Sequence, residues 1–221
     1  VTFDHHPDNE LFGDLSYVDP EGCSTAETLC LFAESCGWTI GPDAATWLLL
    51  GVTTDTGCFR FSNADASAHR TAGTLLARGA DNDRIMNEVY FSKPLNLARF
   101  EAALLGTLET EFDGRFAWCR ITREMLDEFG VNLRNTEQTI EQVRGIQGVE
   151  IAALVKPAVS QGIYKVSLRS KNPEFSVGRI ARGLNGGGHE MAAGGTIFAK
   201  TPEQAIEILL QHVRKELYHE A

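Results

Sequence analysis

The chain opens on a short apolar run, Val1-Thr2-Phe3, that gives way at once to the polar turn Asp4-His5-His6-Pro7. β-Branched and aromatic residues favour a buried strand, and a proline cannot donate to a sheet ladder, so the two histidines are expected just beyond the strand's end. In open α/β sheets, sites form at the carboxyl ends of strands. A carboxylate beside two imidazoles suits a divalent metal, although a solvated polar turn explains the tripeptide equally well.

Charge is distributed unevenly along the chain. The first 59 residues hold ten acids and neither lysine nor arginine, whereas the remaining residues carry 20 acids and 20 bases. Between residues 150 and 190 the bases outnumber the acids by six to three. An acidic segment attracts divalent cations and repels phosphate. We therefore expect one end of the chain to bind cations and the other to bind anions.

Length and composition indicate a soluble globular protein. With 221 residues, 43% of them hydrophobic, the chain can form one large or two small domains. No apolar run approaches the length of a membrane span and no leader is evident, so we expect a cytoplasmic protein without membrane partners. The five cysteines contain no C-x-x-C pair and are odd in number, which favours buried reduced thiols over disulfides or a zinc ribbon.

Several local signals predict helices in the first half. Ser24 and Glu27 have the capping-box spacing ahead of a helix over about residues 25–36. Pro42 opens an apolar segment, compatible with a helix or a buried strand, that ends in the polar turn around Asp55. Phe59-Arg60-Phe61 predicts a short strand, and apolar residues at helical spacing predict a linker helix over 93–113.

From Gly114 the pattern changes to alternating strands and helices. Strands are predicted over 115–121, 149–156 and 162–169 and near 196–199, and the terminal helix begins at Pro202. The predicted fold class is α/β, with a first domain over 1–92, the linker helix and a second domain over 114–221.

Three consecutive glycines before His189 predict a loop that opens a small-residue helix. Its backbone N–H groups and the helix N-terminus suit an anion, although a sterically forced turn is the more common reason for such a run. Arg169, at the end of a strand 20 residues earlier, adds a guanidinium fork that fits a phosphate. Together these residues predict a phosphate pocket.

Four motifs, in this order, resemble those of the DHH phosphoesterases with a DHH-associated C-terminal domain: Phe3-Asp4-His5-His6-Pro7, residues 51–59, Ser167-Leu168-Arg169-Ser170 and residues 186–194. The sequence is most similar to the bacterial nanoRNase and pAp phosphatase group. The resemblance implies the C-terminal part of a parallel-sheet, nucleotide-type DHH domain, joined by a helical linker to a smaller α/β substrate-binding domain.

The resemblance also implies roles for individual residues. His5 and Asp55 would ligate catalytic Mn²⁺. Of the two catalytic residues, His6 would help to orient or protonate the substrate, and Asp4 would support the histidines. The nucleotide would be bound by Arg169, Ser170, Gly187, Gly188 and His189. Carboxylate and imidazole ligands fit manganese better than zinc, and two ions would support in-line water attack on short oligoribonucleotides or pAp.

The sequence also departs from the family pattern. Two acidic motifs that relatives place before the DHH motif are not in this sequence, and Asn185 stands where many relatives have a further glycine. We therefore expect a C-terminal fragment with an incomplete metal site. A cyclic-di-AMP or pApA phosphodiesterase and a nucleotide-binding regulatory module are the alternatives, and a homodimer is compatible with each. A RecJ-type exonuclease is disfavoured by the chain length and the charge.

Overall fold

The computed structural model describes residues 1–6 and 9–219, so Pro7 lies outside the described residues. The chain divides into two compact units, Val1–Ser92 and Lys93–Ala221. In the described part, no helix combines the length and apolar character that a membrane crossing requires. Both units contain helices and strands, which confirms the predicted α/β class.

The first unit has two short parallel strands beside a group of helices. β1 (Thr2–Asp4) pairs with β2 (Ser16–Val18), with Thr2 opposite Ser16 and Asp4 opposite Val18. The helices are α1 (Thr25–Ser35), α2 (Pro42–Asp55), α3 (Ala66–Ala77) and α4 (Asn82–Ile85), which continues into the π-helical turn Met86–Tyr90. Their apolar faces pack around Leu49, Leu75 and Ile85. Asp4 thus ends the first strand, as the sequence predicts.

Helices α1 and α2 begin where the sequence predicts. The Ser24 hydroxyl accepts a hydrogen bond from the backbone N–H of Glu27 (3.0 Å), which is the cap predicted for α1. The segment after Pro42, compatible with helix or strand, is helical throughout, and Asp55 is its last residue. Leu49 and Val52 are both buried, and their spacing of three places them on one helix face.

The strand predicted over Phe59–Phe61 is wrong, because this segment is a turn. Cys58 and Phe59 both have φ near 60°, in the left-handed region, where a strand cannot continue. The N–H groups of Arg60 and Phe61 donate to the carbonyl of Thr56 at 3.0 and 3.1 Å, so local bonds replace a sheet ladder.

A six-stranded sheet forms the centre of the second unit. In chain order its strands are β3 (Glu109–Glu111), β4 (Phe116–Arg120), β5 (Ile151–Pro157), β6 (Ile163–Ser170), β7 (Gly187–His189) and β8 (Ala192–Phe198). Their order across the sheet is β3-β4-β5-β6-β8-β7. Neighbours are antiparallel except β4 and β5, which are parallel.

Helices cover the two sheet faces unequally. The helices of this unit are α5 (Leu95–Leu105), α6 (Arg123–Phe129), α7 (Thr139–Arg144), α8 (Val177–Gly183) and α9 (Pro202–Tyr218). Side chains of α8 and α9 pack with Leu168, Ala193 and Ile197, so this core extends across β6 and β8. Side chains of α5 and α7 pack with Ala117 and Leu154, a core that includes no residue of β6, β7 or β8.

The linker helix predicted over 93–113 is shorter than predicted and is part of the second unit. It occupies Leu95–Leu105, and the strand Glu109–Glu111 follows within the predicted span. Phe100 and Leu104 are fully buried in the core beside β4 and β5. Their burial makes the helix a structural layer of this unit.

The small-residue helix predicted after the glycine run is also wrong. β7 and β8 form an antiparallel hairpin in which Gly187 pairs with Gly194 and His189 with Ala192. Glycine is a poor helix former, and β6 provides a neighbouring ladder for every residue from Ala192 to Phe198. The expected helix N-terminus therefore makes no contribution to anion binding here.

Burial of the cysteines differs from the prediction in part. Cys23, Cys30 and Cys119 are buried, Cys58 is half-buried and Cys36 is exposed at the end of α1, and all five are free thiols. The predicted burial is confirmed for Cys23, Cys30 and Cys119 and is wrong for Cys36.

Candidate functional site

Asp4, the last residue of β1, orders the turn that follows the strand. Its carboxylate accepts hydrogen bonds from Nδ1 of His6 (2.7 Å), from the side-chain amide of Asn9 and from the backbone N–H of His5 (2.8 Å). The bond from His6, followed by the bond from Asn9, holds the pKa of Asp4 well below its usual range. Asp4 is therefore an ionised anchor for the histidines and not a proton donor.

His5 is oriented by the main chain and faces Asp55. Its Nδ1 lies 3.2 Å from the carbonyl oxygen of Gly22, and its Nε2 lies 3.8 Å from Oδ2 of Asp55, at the end of α2. When Nδ1 carries the proton and donates to Gly22, the lone pair of Nε2 points towards the carboxylate, an arrangement typical of metal-ligating histidines. Partial burial raises the pKa of Asp55, and the nearby His5 opposes that rise.

His6 occupies the solvent side of the same turn. Its ring lies 4.6 Å from the ring of His5, edge to face, and about half of its side chain is exposed. With Nδ1 donating to Asp4, Nε2 of His6 carries the lone pair and can accept a proton from water or a bound molecule. The structure thus brings together the four residues that the sequence predicts for the metal and catalytic groups.

The pair of His5 and Asp55 fits two positions in the coordination sphere of one divalent ion. Ligands on opposite sides of such an ion lie about 4.2 Å apart, since each metal–ligand bond is about 2.1 Å, and the observed 3.8 Å lies within that span. Within residues 1–6 and 9–219, no group of three or more His, Cys, Asp or Glu side chains is arranged to hold an ion. The described residues therefore supply a ligand pair and not a complete metal site.

In the second unit, Arg169 and His189 lie on the same face of the sheet. Both pair with Ala192, because β8 lies between β6 and β7, and directly opposed residues of a sheet share a face. Burial alternates accordingly: Val166, Leu168, Ala193 and Ile197 are buried on one side, whereas Ser167, Arg169, Ala192, Gly194 and Thr196 are at least partly exposed on the other. We call this second side of β6, β8 and β7 the open face.

The three consecutive glycines 186–188 have different steric surroundings. A Cβ on Gly186 would lie 2.0 Å from the carbonyl oxygen of Gly194. Gly188 has φ of 135°, and its Cβ would lie 2.7 Å from the carbonyl oxygen of Ala192. Gly187, in contrast, has no atom within 4 Å of its Cβ position. The fold itself requires glycine at 186 and 188, whereas at 187 it leaves space above the open face.

Arg169 already has a carboxylate partner. Its Nε donates to Oε1 of Glu141 (2.9 Å), and Glu141 also pairs with Arg144 (2.5 Å). This pairing fixes the guanidinium plane beside the open face, where the remaining N–H groups can meet an anion. Ser170 points the other way: it is fully buried and its hydroxyl bonds to the backbone of Asn172. The structure therefore brings Arg169, Gly187 and His189 together on the open face, whereas Gly188, which pairs with the buried Ala193, and Ser170 face the other side.

Comparison with known proteins agrees with this arrangement. Residues 115–218 match the DHHA1 domain. Over 98% of its length the chain is 31% identical to the bifunctional oligoribonuclease and PAP phosphatase NrnA of Thermus thermophilus, and over 98% it is 28% identical to the NrnA of Bacillus subtilis. The chain is therefore similar to DHH phosphoesterases over nearly its whole length, and its second unit matches their DHHA1 domain. It spans 64% of the length of the Thermus relative and 68% of the Bacillus relative.

Solved structures show the same fold. An exopolyphosphatase-related protein from Bacteroides fragilis superimposes with a TM-score of 0.89 at 27% identity, covering 96% of this chain and 62% of that one. A pGpG-specific phosphodiesterase from Vibrio cholerae, with a TM-score of 0.50 and 13% identity over 97% of this chain, shares the general fold.

Several residues of both sites are not predicted by the sequence. The carbonyl of Gly22 orients His5, and the side-chain amide of Asn9 orients Asp4. No pattern in the sequence predicts either contact. On the open face, Lys165 and Ser167 could have been identified, because they alternate with Val166 and Leu168 along β6. Glu141 and Lys156 could not, because only the packing of α7 and the pairing of β5 bring them near Arg169.

Proposed function

We propose that this chain is part of a Mn²⁺-dependent phosphoesterase that hydrolyses short oligoribonucleotides and pAp. The observation that carries the proposal is the separation of chemistry between the two units. A ligand pair suited to a divalent ion lies in one, and an open face with Arg169 and His189 lies in the other. The names of the NrnA relatives give the substrate class.

In the first unit, His5 and Asp55 would hold manganese. When bound, the ions supply an activated water and neutralise charge on the phosphate. His6 would take or give a proton at Nε2, because Asp4 occupies its Nδ1. Asp4 acts as a positioning residue, since its carboxylate binds both the ring of His6 and the backbone of the turn.

In the second unit, the substrate phosphate would lie between Arg169 and His189, above Ala192. The open space at Gly187 lets a phosphate or ribose approach the backbone. Glu141 holds the guanidinium in place but also competes for it, and the carbonyl of Leu168 accepts from one terminal N–H group at 3.0 Å. Phosphate binding would therefore use the N–H groups that neither acceptor engages.

Two alternative functions are compatible with the same residues. A cyclic-di-AMP or pApA phosphodiesterase would use the same groups on a different phosphodiester. A nucleotide-binding regulatory module is favoured by one observation: the described residues contain a ligand pair and no larger metal-binding group. The homodimer and the cytoplasmic location inferred from the sequence stay predictions.

The proposal is tested by Mn²⁺-dependent hydrolysis of pAp, pApA and short RNAs by the complete gene product. We expect turnover, and we expect His5→Ala and Asp55→Ala to abolish it while lowering Mn²⁺ affinity at least tenfold in calorimetric titration. Thermal unfolding should change little, because neither side chain is part of a core cluster.

The matched control is Asp43→Ala, which removes an exposed carboxylate from the first turn of the same helix as Asp55. It should leave both Mn²⁺ binding and turnover unchanged. Unchanged Mn²⁺ stoichiometry and affinity in both His5→Ala and Asp55→Ala would refute the ligand assignment, and nucleotide binding without turnover would favour the regulatory module.

A further inference from the structure

The open face continues well beyond Arg169 and His189. Along β5, β6 and β8, Lys156 pairs with Lys165, and Lys165 pairs with Thr196, so these three residues lie side by side. Nζ of Lys165 donates to the Thr196 hydroxyl at 2.7 Å. Residue alternation puts all three on the same face as Arg169, four residues further along β6. Lys165 therefore lies on the open face and Lys156 at its β5 edge, both away from Arg169 and His189.

Lys156 is the unusual member of this pair. It is only 9% exposed, and in the described part of the chain its ammonium group has neither a hydrogen bond nor an ion pair. Burial lowers the pKa of Lys156, Glu137 opposes that shift, and Arg169 adds to it, so Lys156 is within electrostatic reach of Arg169. A buried ammonium without a close partner is costly, and an anion on the open face would compensate that cost.

An aromatic side chain lies beside the two lysines. Phe198, the last residue of β8, pairs with Ile163, one step along the open face from the pair of Lys165 and Thr196. It is 61% exposed, whereas its neighbours Ile197 and Ala199 are buried on the opposite side. Exposed aromatic rings beside cations are a common platform for stacking nucleobases.

The spacing fits a short extended oligonucleotide. Four residues separate Arg169 from Lys165 along β6, or about 13 Å between their Cα atoms at about 3.3 Å per residue, and Phe198 lies one step beyond Lys165. The residues between the two groups on β6 and β8 are small, Ser167 and Gly194, so no bulky side chain blocks the surface there. Both ends are thus accessible to a single extended ligand.

We infer that Lys156, Lys165 and Phe198 form a second nucleotide subsite on the open face, which binds the phosphate and base next to the nucleotide held by Arg169 and His189. The inference rests on the proposed function of the Arg169 end. The two lysines contact the phosphate and Phe198 stacks on the base. This subsite selects short oligonucleotides over mononucleotides.

The test compares binding of 5′-AMP, 3′-AMP, pAp and pApA to this chain by calorimetry, with the bound positions mapped by NMR. We expect pApA to bind at least tenfold more tightly than either monophosphate. Phe198→Ala should weaken pApA binding about 5- to 100-fold and change binding of AMP and pAp less than twofold. Lys165→Met, alone and with Lys156→Met, should weaken pApA and pAp binding and change AMP binding less than twofold.

Matched controls remove the same groups elsewhere. Phe91→Ala deletes another exposed phenylalanine, and Lys200→Met deletes an exposed lysine outside the strands. Both should leave all four affinities unchanged. Substitution of the buried Lys156 can impair folding. Lys165 and Phe198 are exposed, so their single variants should fold normally and still test the subsite.

The outcomes separate this inference from the function on which it depends. If Arg169→Ala weakens binding of all four ligands but the Phe198 and lysine variants keep the wild-type ratio of pApA to AMP affinity, the second subsite is refuted and the proposed function stands. If none of the ligands binds the open face of the wild-type chain, the nucleotide-binding role of this face is refuted together with the subsite.

Discussion

Gly187 and Gly188 are neighbours in β7, yet the structure gives them different roles. Gly188 has a backbone conformation that other residues rarely adopt, and a Cβ there meets the backbone of β8. Gly187 has neither constraint. The sequence alone attributes both glycines to close approach of a phosphate, and the structure supports that reason for Gly187 only.

We therefore predict opposite consequences for two alanine substitutions. Gly188→Ala should destabilise the chain by about 1–3 kcal/mol, because it adds backbone strain and a steric clash. Gly187→Ala should change the unfolding free energy by less than about 0.5 kcal/mol but weaken pAp binding, because its methyl group occupies the space above the open face. Urea unfolding and calorimetric pAp titration of both variants measure the two effects. Equal stability losses in both variants, with pAp affinity unaffected by Gly187→Ala, would contradict the assignment.

A second prediction about individual residues concerns the order in which the cysteine thiols react. Burial raises the pKa of Cys23 to about 12 and that of Cys119 to about 11, and it also raises that of Cys30. At pH 8 in the native protein these three thiols remain protonated and shielded, so Cys36 should react first with iodoacetamide. Mass spectrometry after a short labelling pulse measures the order, and unfolded protein, in which all five cysteines react, is the control. Labelling of Cys23 or Cys119 as fast as Cys36 would show that these cores open readily.

At the level of secondary structure, the site in the second unit depends on the order of the strands. Because β8 lies between β6 and β7, residues that are 20 apart in sequence face each other across one strand. Glu141 of α7 fixes Arg169 from the side and keeps Arg144 as a second ion-pair partner. Loss of Arg169 would therefore not leave Glu141 without a cation.

We predict that Arg169→Ala and His189→Ala each raise KM for pAp and dinucleotides without changing Mn²⁺ binding. Loss of one charge-assisted contact costs about 1.5–3 kcal/mol, which corresponds to about 10- to 150-fold in kcat/KM. Arg182→Ala is the matched control, since Arg182 is exposed on α8, at the opposite face of the sheet. Steady-state kinetics of the complete gene product and Mn²⁺ calorimetry give both quantities. A loss of Mn²⁺ affinity in Arg169→Ala, with KM unchanged, would place this residue in the metal site and not at the phosphate.

At the scale of the whole molecule, each unit has its own part of the chemistry. The first carries the ligand pair and the second the open face, and the second has its own two-sided core. The chain spans about two thirds of the length of its NrnA relatives. On the proposed function, metal binding and nucleotide binding would therefore depend on different units.

We predict that this chain alone binds pAp without metal but does not hydrolyse it. Two side chains cannot supply the coordination that a catalytic pair of ions requires, so Mn²⁺ binding should be weak. NMR shifts on addition of pAp should centre on residues 167–171 and 186–190, and activity should appear only in the complete gene product. Robust Mn²⁺-dependent hydrolysis by the purified chain would overturn the claim, and shifts confined to Asp4 and Asp55 would mean that the phosphate is bound by the first unit.

Features that depend on neighbours along the chain can be predicted from the amino-acid sequence alone. The cap of Ser24, the helix after Pro42, the alternation of β6 and the position of Asp4-His5-His6 at a strand end all follow from local propensity and spacing. The family motifs, short and fixed in order, identified the DHH phosphoesterases for the same reason. Each of these patterns spans only a few residues, so the predictions based on them do not depend on how distant parts of the chain pack.

Contacts between residues that are distant in the sequence become evident only in the tertiary structure. Gly186–Ala193 has helix-forming and turn-forming residues in one segment, and pairing with β6 made it a hairpin. Ser170, adjacent to Arg169, faces the core because alternate residues of a strand point to opposite sides. Lys156 and Glu141 approach Arg169 through strand pairing and helix packing, contacts between residues up to 28 positions apart that no local pattern encodes.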